Sequence, residues 1–486
     1  MIYKLRPYQE ECVKSISDYI NSDRHDPVLI VGPVGCGKSL LIAEAARLMG
    51  DKTLILQPSK ELLQQNHNKI TSYGIPATIY SASCGKKELS NMIYATLGSI
   101  KKVVGQLKEM GIRNVLIDEA HAGYSPEDGS EFMTFMNELK PKKVIGFTAT
   151  PCRLKTMSIG QVSYSQLNFI TRMRPVYFKN LIHVIQVEEM IRQGFWTPLK
   201  YETWDFNGDA LKLNSNGSEY TAESISEAVR KNGLNNLILR RLMVLKDVCR
   251  SILVFMDSVE SCNTAAEWMN AKICAGMAEV VHGGTPKKQR EAIVEGFKSG
   301  KTKVVFNYSA LGTGFDHPGL DCVIVGRPTF SFSSFYQWLG RAVRIKDGKD
   351  SALVVDCCNN SSRFGDIRKL SIENYKGYGW GMFIGDKLIT NIPMGDKVTK
   401  TDLDIKAAKK DRRRGLAQGV TAAPVPGRPD HPLGSTVMTF GKYCGWMLHS
   451  IPVSYFKFIN ETFDWDNDRN KDIKEYIDFL IKNNRL

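Results

Sequence analysis

The chain has 486 residues, which is too long for one ordinary domain and predicts two or three folded units of roughly 150–200 residues each. Hydrophobic residues make up 43% of the chain and charged residues 24%, as is usual for globular domains that bury their own cores. The formal net charge of +14, from 65 Lys and Arg against 51 Asp and Glu, suits a polyanionic partner.

The eleven cysteines are scattered without a Cys-x-x-Cys pair, so they predict structural thiols in a reducing compartment rather than a zinc site. The first residues lack the apolar segment of a secretion signal, and no apolar run approaches the roughly 20 residues that span a bilayer. We therefore expect a cytoplasmic protein without a membrane partner.

Short β-branched runs alternate with polar or helix-patterned stretches along the first 360 residues. Such alternation predicts an α/β fold with parallel sheets, because strands buried on both faces read as continuous apolar runs. The runs form two clusters, before about residue 150 and after about residue 250, and therefore predict two tandem α/β domains. They are Val28–Val31, Thr53–Leu56, Val115–Ile117, Lys143–Ile145, Ile252–Phe255, Lys303–Phe306, Cys322–Val325 and Ala352–Val355.

The segment between the two clusters has a different pattern and predicts a helical connecting insert over residues 152–248. Three stretches in it are predicted as helices: Gln166–Arg174, Ile182–Gln193 and Ser224–Lys246. The predicted division of the chain is 1–151 and 249–360 for the two α/β lobes, 361–418 for an accessory basic region, 419–435 for a Pro/Gly-rich linker and 436–486 for a small C-terminal module.

A phosphate-binding loop is predicted between the first strand and the following helix. Residues 32–39 read Gly-Pro-Val-Gly-Cys-Gly-Lys-Ser and match G-x-x-x-x-G-K-[ST] in the required strand–loop–helix context. Gly32, Gly35 and Gly37 let backbone N–H groups turn toward phosphates, and the helix N-terminus adds partial positive charge. Lys38 is predicted to reach the terminal phosphates of ATP and Ser39 to ligate Mg²⁺.

A hydrolytic carboxylate pair follows the run Val115–Ile117. Asp118 is predicted to hold Mg²⁺ and Glu119 to orient and deprotonate the attacking water. His121, two residues further on, is a candidate relay between this site and another domain. Together with the phosphate loop about 80 residues upstream, the pair predicts an ATPase.

The order of these motifs resembles a superfamily 2 helicase of the D-E-A-H type. The phosphate loop and Asp118-Glu119-Ala120-His121 are followed by Gly146-Phe147-Thr148-Ala149-Thr150-Pro151, and the resemblance covers roughly residues 1–360. Further segments match in family order: residues 5–9 (Leu-Arg-Pro-Tyr-Gln), 57–62 (Gln-Pro-Ser-Lys-Glu-Leu), 311–316 (Leu-Gly-Thr-Gly-Phe-Asp) and 337–344 (Gln-Trp-Leu-Gly-Arg-Ala-Val-Arg).

The resemblance implies two RecA-like lobes with ATP and Mg²⁺ in the cleft between them. It also implies that Arg341 and Arg344 stabilise charge on the transferring phosphate as arginine fingers do, with Gln337 beside them. Thr148 and Thr150 are expected to link hydrolysis to movement of the lobes. The implied nucleotide contacts are Arg6, Gln9, Gly314 and Asp316, and the implied nucleic-acid contacts are Pro58, Ser59, Lys60, Thr96 and Thr313.

Within the superfamily, residues 191–199 (Ile-Arg-Gln-Gly-Phe-Trp-Thr-Pro-Leu) and 326–329 (Gly-Arg-Pro-Thr) most resemble RadD-type bacterial helicases and related phage helicases. The zinc-binding cysteine cluster of that family does not occur in this sequence. Trp196 and Trp204 are either a strand-separating wedge or packing residues. The resemblance places the protein in a bacterial cytoplasm or a phage-infected host.

The tail carries Thr439-Phe440-Gly441-Lys442-Tyr443-Cys444-Gly445-Trp446-Met447, which is similar to a small F-G-K-Y-x-G module appended to some nucleases and phage proteins. The module is either a binding site for a protein partner or a plain packing unit.

The predicted function is an ATP-dependent DNA helicase or translocase that acts on single-stranded, forked or branched DNA. An RNA helicase shares the motor, but its last motif usually reads H-R-x-G-R-x-x-R, which residues 337–344 do not. The motifs are also compatible with a motor subunit of a restriction or nuclease complex, or with a non-catalytic scaffold. The scaffold is disfavoured because Lys38, Asp118, Glu119, Arg341 and Arg344 are all present.

Overall fold

A computed structural model of the chain describes residues 4–127, 129–159, 162–311, 315–407, 431–436, 438–439, 443, 446–462, 465 and 470–483. Thr313 and Gly314, the linker up to residue 430 and most of the F-G-K-Y-x-G motif lie outside the described residues. No described helix is both long and apolar enough to cross a membrane. The ten cysteines that the structure describes are free thiols.

An eight-stranded sheet forms the first lobe, in the order β10-β1-β7-β6-β2-β5-β3-β4. Its strands are parallel except for β4, which pairs antiparallel with β3. The central strands are buried along their whole length, as the continuous apolar runs predict. The strands are β1 Val28–Val31, β2 Thr53–Leu56, β3 Thr78–Ser81, β4 Lys86–Lys87, β5 Met92–Ala95, β6 Asn114–Ile117, β7 Lys143–Thr148 and β10 Asn180–Val184.

The helices of the first lobe connect these parallel strands. Ser59 and Ser130 are the N-cap residues of two of them, and the side chain of each accepts a hydrogen bond from a backbone N–H of the first turn. The helices are α1 Pro7–Asn21, α2 Lys38–Met49, α3 Lys60–Thr71, α4 Leu97–Ile100, α5 Val104–Glu109, α6 Glu131–Leu139 and α7 Val187–Arg192.

A six-stranded parallel sheet forms the second lobe, in the order β11-β16-β15-β12-β14-β13. The strands are β11 Leu199–Thr203, β12 Ile252–Phe255, β13 Ala278–His282, β14 Val304–Tyr308, β15 Cys322–Val325 and β16 Ala352–Asp356. Its helices are α8 Ala222–Lys231, α9 Leu234–Val248, α10 Val259–Lys272, α11 Lys287–Ser299, α12 Phe332–Leu339 and α13 Asn360–Phe364. Two tandem parallel-sheet domains confirm the predicted fold class.

The helix predicted for Gln166–Arg174 is wrong. Residues 152–169 form an antiparallel hairpin, β8 Cys152–Ile159 and β9 Val162–Phe169. Leu167 and Phe169, two residues apart, are both buried, which is the period of a strand rather than of a helix. A 3₁₀ turn follows at Ile170–Arg172.

The other two helices predicted in the insert are partly wrong. The first part of Ile182–Gln193 is strand β10, and only Val187–Arg192 is helical. Ser224–Lys246 is divided between α8 and α9 at Gly233, whose φ of +58° is disfavoured for other residues.

Residues 152–248 contribute an edge strand to each sheet, so they do not form a helical layer of their own. Strand β10 pairs in parallel with β1, and strand β11 pairs in parallel with β16. Each edge strand supplies hydrogen-bond partners to the backbone of the buried strand beside it. Helices α8 and α9 bury Ile225, Ile238 and Leu242 in the core of the second sheet. The boundaries assigned to the domains stay predictions.

The chain divides into two compact units. The first comprises Met1–Asn374 and Trp380–Val398, and thus both α/β lobes, while the second comprises Tyr375–Gly379 and Thr399–Leu486. A small sheet in the order β17-β18-β19-β20 follows the second lobe, with strands Leu370–Tyr375, Gly379–Ile384, Lys387–Leu388 and Val398–Thr399. Residues 400–407 are helical.

The C-terminal module has a core of its own, between two helices and two 3₁₀ turns. The helices are α14 Val453–Thr462 and α15 Lys471–Lys482, and the turns are Pro432–Ser435 and Leu448–Ser450. Ile451, Phe456, Tyr476 and Ile477 are buried in this core. Trp446 and Phe458 are large and exposed.

Candidate functional site

A cavity of about 480 Å³ lies between the two α/β lobes and collects most of the predicted site residues. The first lobe contributes Arg6, Gln9, Gly35, Gly37, Lys38, Ser39, Asp118 and Glu119, and the second contributes Asp316, Gln337, Arg341 and Arg344. Cationic groups therefore approach the phosphate loop from both lobes.

The phosphate loop joins β1 to α2, and its conformation depends on glycine. Gly35 and Gly37 have φ of +80° and +82°, a region that other residues rarely adopt. A Cβ added to Gly37 would lie 2.6 Å from the Gln9 side-chain nitrogen. The loop backbone is thus held close to α1, with the Lys38 side chain at the start of α2 and inside the cavity.

Gln9 holds the phosphate loop from the other side. Its Nε2 donates to the Cys36 carbonyl at 2.9 Å, and its Oε1 accepts from the Arg6 backbone N–H at 2.9 Å. Tyr8 donates to the same Cys36 carbonyl at 3.2 Å. The role of Gln9 as a reader of adenine stays a prediction.

Asp118 and Glu119 follow β6 at the carboxyl edge of the sheet, beside the phosphate loop. The Lys38 ammonium lies 4.0 Å from Glu119 Oε1. Asn66 of α3 donates to Asp118 Oδ2 at 2.9 Å, and the Glu119 backbone N–H donates to Asp118 Oδ1 at 2.9 Å. Glu119 has a φ of +47°, and this strain at the carboxylate pair is typical of a functional site.

Burial disfavours the charge on Asp118. Its pKa is raised to about 7, first by burial and then by the neighbouring Glu119, while Lys38 opposes the shift. A divalent cation at this carboxylate would supply the positive charge that the cluster lacks. Ser39 lines the same cavity. A hydroxyl and a carboxylate are therefore available near the phosphate loop, and Mg²⁺ takes such oxygen ligands together with the phosphates of a nucleotide.

A hydrogen-bonded chain leads from His121, beside Glu119, into the second lobe. His121 Nδ1 lies 3.4 Å from the Glu119 carboxylate and 2.8 Å from Thr148 Oγ1. The Thr150 backbone N–H donates to Thr148 Oγ1 at 3.1 Å, and Ser333 of α12 donates to Thr150 Oγ1 at 3.0 Å. Burial lowers the pKa of His121, which favours a neutral imidazole at the centre of this chain.

The arginine segment, residues 340–344, follows α12 without forming a helix or a strand. Arg341 donates to the Phe315 carbonyl at 2.6 Å, and Arg344 forms an ion pair with Asp316. Burial lowers the pKa of each arginine to about 10. Buried cations facing a cavity are stabilised when an anion enters it.

The predicted nucleic-acid residues that the structure describes lie at the carboxyl ends of β2 and β5, which are neighbours in the first sheet. Pro58 is exposed, and Ser59 caps α3, which begins at Lys60. Thr96 hydrogen-bonds with Ser81 and Ser99 at 3.2 Å each. The structure brings these residues to one edge, and their contact with DNA stays a prediction.

Several residues that sequence reasoning did not assign also belong to the cavity or support it. Phe195 lines it, with the Arg6 guanidinium 4.6 Å from its ring centre. Trp196 is only 2% exposed and packs in the core, which answers the question left open by the sequence. Asn66 and Ser333 reach the site only through long-range contacts, whereas Lys349 bonds to the nearby Ala342 and Arg344 carbonyls; no motif marks the three residues.

Two family profiles match the chain. The family described as "Type III restriction enzyme, res subunit" matches residues 2–153, and "Helicase conserved C-terminal domain" matches residues 235–346. The two matches correspond to the two parallel-sheet lobes that form the cavity.

Curated relatives are similar at low identity. A 51.5 kDa protein of Lactococcus phage (isolate 7-9) is 25% identical over 68% of this chain and 65% of its own length. A Saccharomyces cerevisiae protein named as an ATP-dependent helicase, IRC3, is 24% identical over 57% of this chain and 38% of its own length. The chain thus spans less than two thirds of these relatives.

Among solved structures, the DNA-bound ATP-dependent Type ISP restriction-modification enzyme LlaBIII has the same fold over much of the chain. The TM-score is 0.55 at 15% sequence identity, with 86% of this chain and 30% of that chain covered. At this identity the likeness concerns the fold alone.

Proposed function

We propose that this chain, which belongs to superfamily 2 of the helicases, hydrolyses ATP to move along DNA and to remodel duplex, forked or branched DNA. One observation carries the proposal. The cavity sets Lys38 and the carboxylate pair of the first lobe opposite Arg341 and Arg344 of the second. Hydrolysis and movement of the lobes are therefore coupled, because the catalytic groups are complete only when both lobes meet.

The geometry of the cavity supports the following chemistry. Glu119 accepts the proton of the water that attacks the terminal phosphorus of ATP, while Lys38 holds the phosphate oxygens. Arg341 and Arg344 stabilise the charge that develops as the bond to the leaving diphosphate breaks. Mg²⁺, held by Ser39 and Asp118, would neutralise phosphate charge.

The chain from Glu119 through His121, Thr148 and Thr150 to Ser333 supports a mechanical role. Ser333 lies on α12, the same helix that carries Gln337 at the cavity. A change in the charge of Glu119 on hydrolysis can thus act on the adjacent His121 and, through its hydrogen bonds, on a contact of the helix that precedes the arginine segment. We propose that this series of hydrogen bonds couples ATP hydrolysis to the binding of DNA by the second lobe.

The net charge of +14 favours a nucleic acid, because it suits a phosphate backbone. Two features of the sequence favour DNA over RNA. The last motif lacks the H-R-x-G-R pattern of RNA helicases. The resemblance of residues 191–199 and 326–329 to RadD-type helicases favours a role in replication, recombination or repair, with the C-terminal module as an attachment site for a protein partner.

The test is an ATPase assay of the full-length protein with single-stranded DNA, forked DNA, four-way junctions and RNA side by side. We expect DNA to stimulate hydrolysis and RNA to stimulate it far less. Stimulation by RNA alone would reassign the substrate, and hydrolysis without any response to nucleic acid would remove the motor function.

Salt dependence tests the mode of binding. A motor that grips the backbone releases several counterions, so the logarithm of affinity should fall steeply with the logarithm of salt concentration, with little effect of base sequence. A nearly flat plot contradicts this mode.

The second candidate is the motor subunit of a restriction complex, favoured by the match of residues 2–153 to a restriction-enzyme subunit family. A motor subunit needs a partner to cut, so the two are distinguished by how the protein moves on DNA with Mg²⁺ and ATP. Displacement of a third strand from a duplex that stays intact would favour the restriction role, and separation of the two strands of a fork would favour the helicase.

A further inference from the structure

Three consecutive residues, Phe195, Trp196 and Thr197, lie where the chain passes from the first sheet to the second. Helix α7 ends at Arg192, after β10 of the first sheet, and β11 of the second sheet begins at Leu199. Each of the three contacts a different part of the candidate ATP site.

Trp196 contacts the phosphate loop. Its indole Nε1–H donates to the Val34 carbonyl at 2.8 Å, across 162 positions of sequence. A Cβ added to Gly35 would lie 3.5 Å from the same nitrogen, so the indole packs directly on the loop backbone. The ring is 2% exposed, and its position is therefore set by the core.

Thr197 contacts the arginine segment. Its backbone N–H donates to the Val343 carbonyl at 2.8 Å, and its hydroxyl donates to the Arg344 carbonyl at 2.7 Å. Lys349 donates to the Arg344 carbonyl at 2.8 Å and to the Ala342 carbonyl at 2.7 Å. The backbone N–H groups of residues 340–342 bond back to α12, whereas the carbonyls of Ala342, Val343 and Arg344 accept from Thr197 and Lys349. These donors therefore fix the end of the segment that carries Arg344.

The phosphate loop and the arginine segment also contact each other without spare space. A Cβ added to Gly340 would lie 2.5 Å from the Val34 side chain, and one added to Gly35 would lie 3.3 Å from Val343. Small errors in their separation would therefore misplace the arginines relative to a bound phosphate, where about 1 Å matters for rate.

Phe195 lines the same cavity, which Arg6 and Gln9 also line. Its ring lies under the Arg6 guanidinium, 4.6 Å from ring centre to cation, and meets Tyr8 edge-on at 5.2 Å. The three residues thus contact the N-terminal segment, the phosphate loop and the arginine segment in turn.

We propose that Trp196 and Thr197 are positioning residues that set the separation of the phosphate loop and the arginine segment, and so the reach of Arg341 and Arg344 to the terminal phosphate. The inference rests on the proposed ATPase function. Neither residue touches the phosphate itself. Their effect is transmitted through the Val34 and Arg344 carbonyls.

The decisive variant is Thr197→Val, which removes the hydroxyl and keeps the side-chain shape and the backbone N–H. Loss of one such hydrogen bond should lower kcat for DNA-stimulated ATP hydrolysis by about 5- to 10-fold, with KM for ATP changed less than about twofold. Thr197→Ser keeps the hydroxyl and should restore kcat. Thr71→Val, which makes the same change at an exposed hydroxyl that donates to the His67 carbonyl, is the matched control.

Binding of nucleotide analogues separates positioning from general damage. ADP with aluminium fluoride resembles the transition state, so its affinity should fall in Thr197→Val by the same factor as kcat. The affinity for a non-hydrolysable ATP analogue should stay near that of the wild type. Equal losses for both analogues, or an unchanged kcat, would overturn the proposal.

Trp196→Phe provides an independent test, since it removes the indole N–H and keeps an aromatic ring in the core. We expect the same loss of kcat with KM retained, in protein that unfolds at a temperature within a few degrees of the wild type. If the wild-type chain itself hydrolyses no ATP, the proposed function fails. If the wild type is active and both variants match it, only this inference fails.

Discussion

At the scale of single residues, the carboxylate pair is expected to lower the free energy of unfolding when no ligand is bound. Asp118 is buried, the adjacent Glu119 is partly buried, and one lysine, Lys38, lies within 4.0 Å of Glu119. Their environment disfavours two negative charges, as the raised pKa of Asp118 indicates. Such strain is expected where function and stability oppose each other.

Glu119→Gln should bind nucleotide normally and stop turnover, because the amide keeps the size of the side chain but cannot accept the proton of water. Single-turnover hydrolysis and nucleotide binding measured together test this assignment. Glu109→Gln, an exposed site on α5, is the control. Turnover near the wild-type rate would mean that another group is the base.

Asp118→Asn should abolish hydrolysis and yet raise the melting temperature of the nucleotide-free protein, by roughly 2–4 °C per kcal/mol of relieved charge burial. The amide oxygen can keep the hydrogen bond from the Glu119 backbone, and a rotation of the Asn66 amide lets its oxygen accept from the new NH₂ group, so little contact is lost. Thermal unfolding without nucleotide checks this. A lower melting temperature would show that Asp118 stabilises the fold as well.

At the scale of elements, the arginine segment depends on its neighbours for its conformation. It follows α12, which Ser331 caps, and its carbonyls accept hydrogen bonds from Thr197 and Lys349. Burial lowers the pKa of Lys349 to about 8, because removal from water disfavours the charged ammonium. The segment is therefore ordered by turn hydrogen bonds back to α12, by the nearby Lys349 and by one long-range partner, Thr197.

Arg341→Ala and Arg344→Ala should each lower kcat by a factor on the order of 10³ with smaller effects on ATP affinity, because the charge they meet develops in the transition state. Steady-state kinetics with saturating DNA measure both parameters. Arg192→Ala, at an exposed position of α7, controls for loss of charge. A pure KM effect would show that the arginines bind only the ground state.

His317, between β14 and β15, predicts an acid-sensitive second lobe. It is 6% exposed, and its ring nitrogen lies 2.8 Å from Ser251 Oγ. Burial first, then Lys346, Lys298 and Lys349, lower its pKa to about 4. In the unfolded chain this histidine binds a proton near pH 6.5, whereas in the folded chain it stays neutral until about pH 4. The contribution of neutral His317 to the free energy of unfolding is therefore fully present above pH 6.5 and is lost as the pH falls toward 4.

His317→Gln should reduce this loss, so that the difference in melting temperature between pH 7 and pH 5 becomes smaller than in the wild type. Thermal unfolding at the two pH values, with the exposed His25→Gln as the control, measures it. An unchanged difference would assign the acid sensitivity to other groups.

At the scale of the whole molecule, the motor motifs and the C-terminal module lie in different compact units. The first unit contains every described residue of the cavity, and the second contains the separate core around Tyr476 and Ile477. A core of its own predicts that the module folds independently of the motor.

Cutting the chain after Ala417 should leave a protein that hydrolyses ATP near the wild-type rate, because the motifs lie upstream. We expect preference among DNA structures, or attachment to a partner, to be lost. Unwinding of forked and four-way substrates by full-length and truncated protein is the comparison. Loss of the ATPase itself would make the module part of the motor.

The sequence by itself determined most of the central strands of both lobes, although it missed the buried β5, and it determined the chemical groups of the cleft. Strands β1, β2, β12 and β15 begin and end where their apolar runs do, since burial on both faces is a local pattern. Lys38, Asp118, Glu119, Arg341 and Arg344 were predicted from motifs, and the structure gathers them around one cavity.

Only the tertiary structure decided how those groups are held. The edge strands β10 and β11 were missed because an edge strand is only partly buried and lacks the continuous apolar run. The hydrogen bonds from Trp196 to Val34 and from Thr197 to Arg344 join residues 162 and 147 positions apart. Hydrogen bonds between residues so far apart produce no recognisable pattern in the sequence, because they depend on how the two sheets pack.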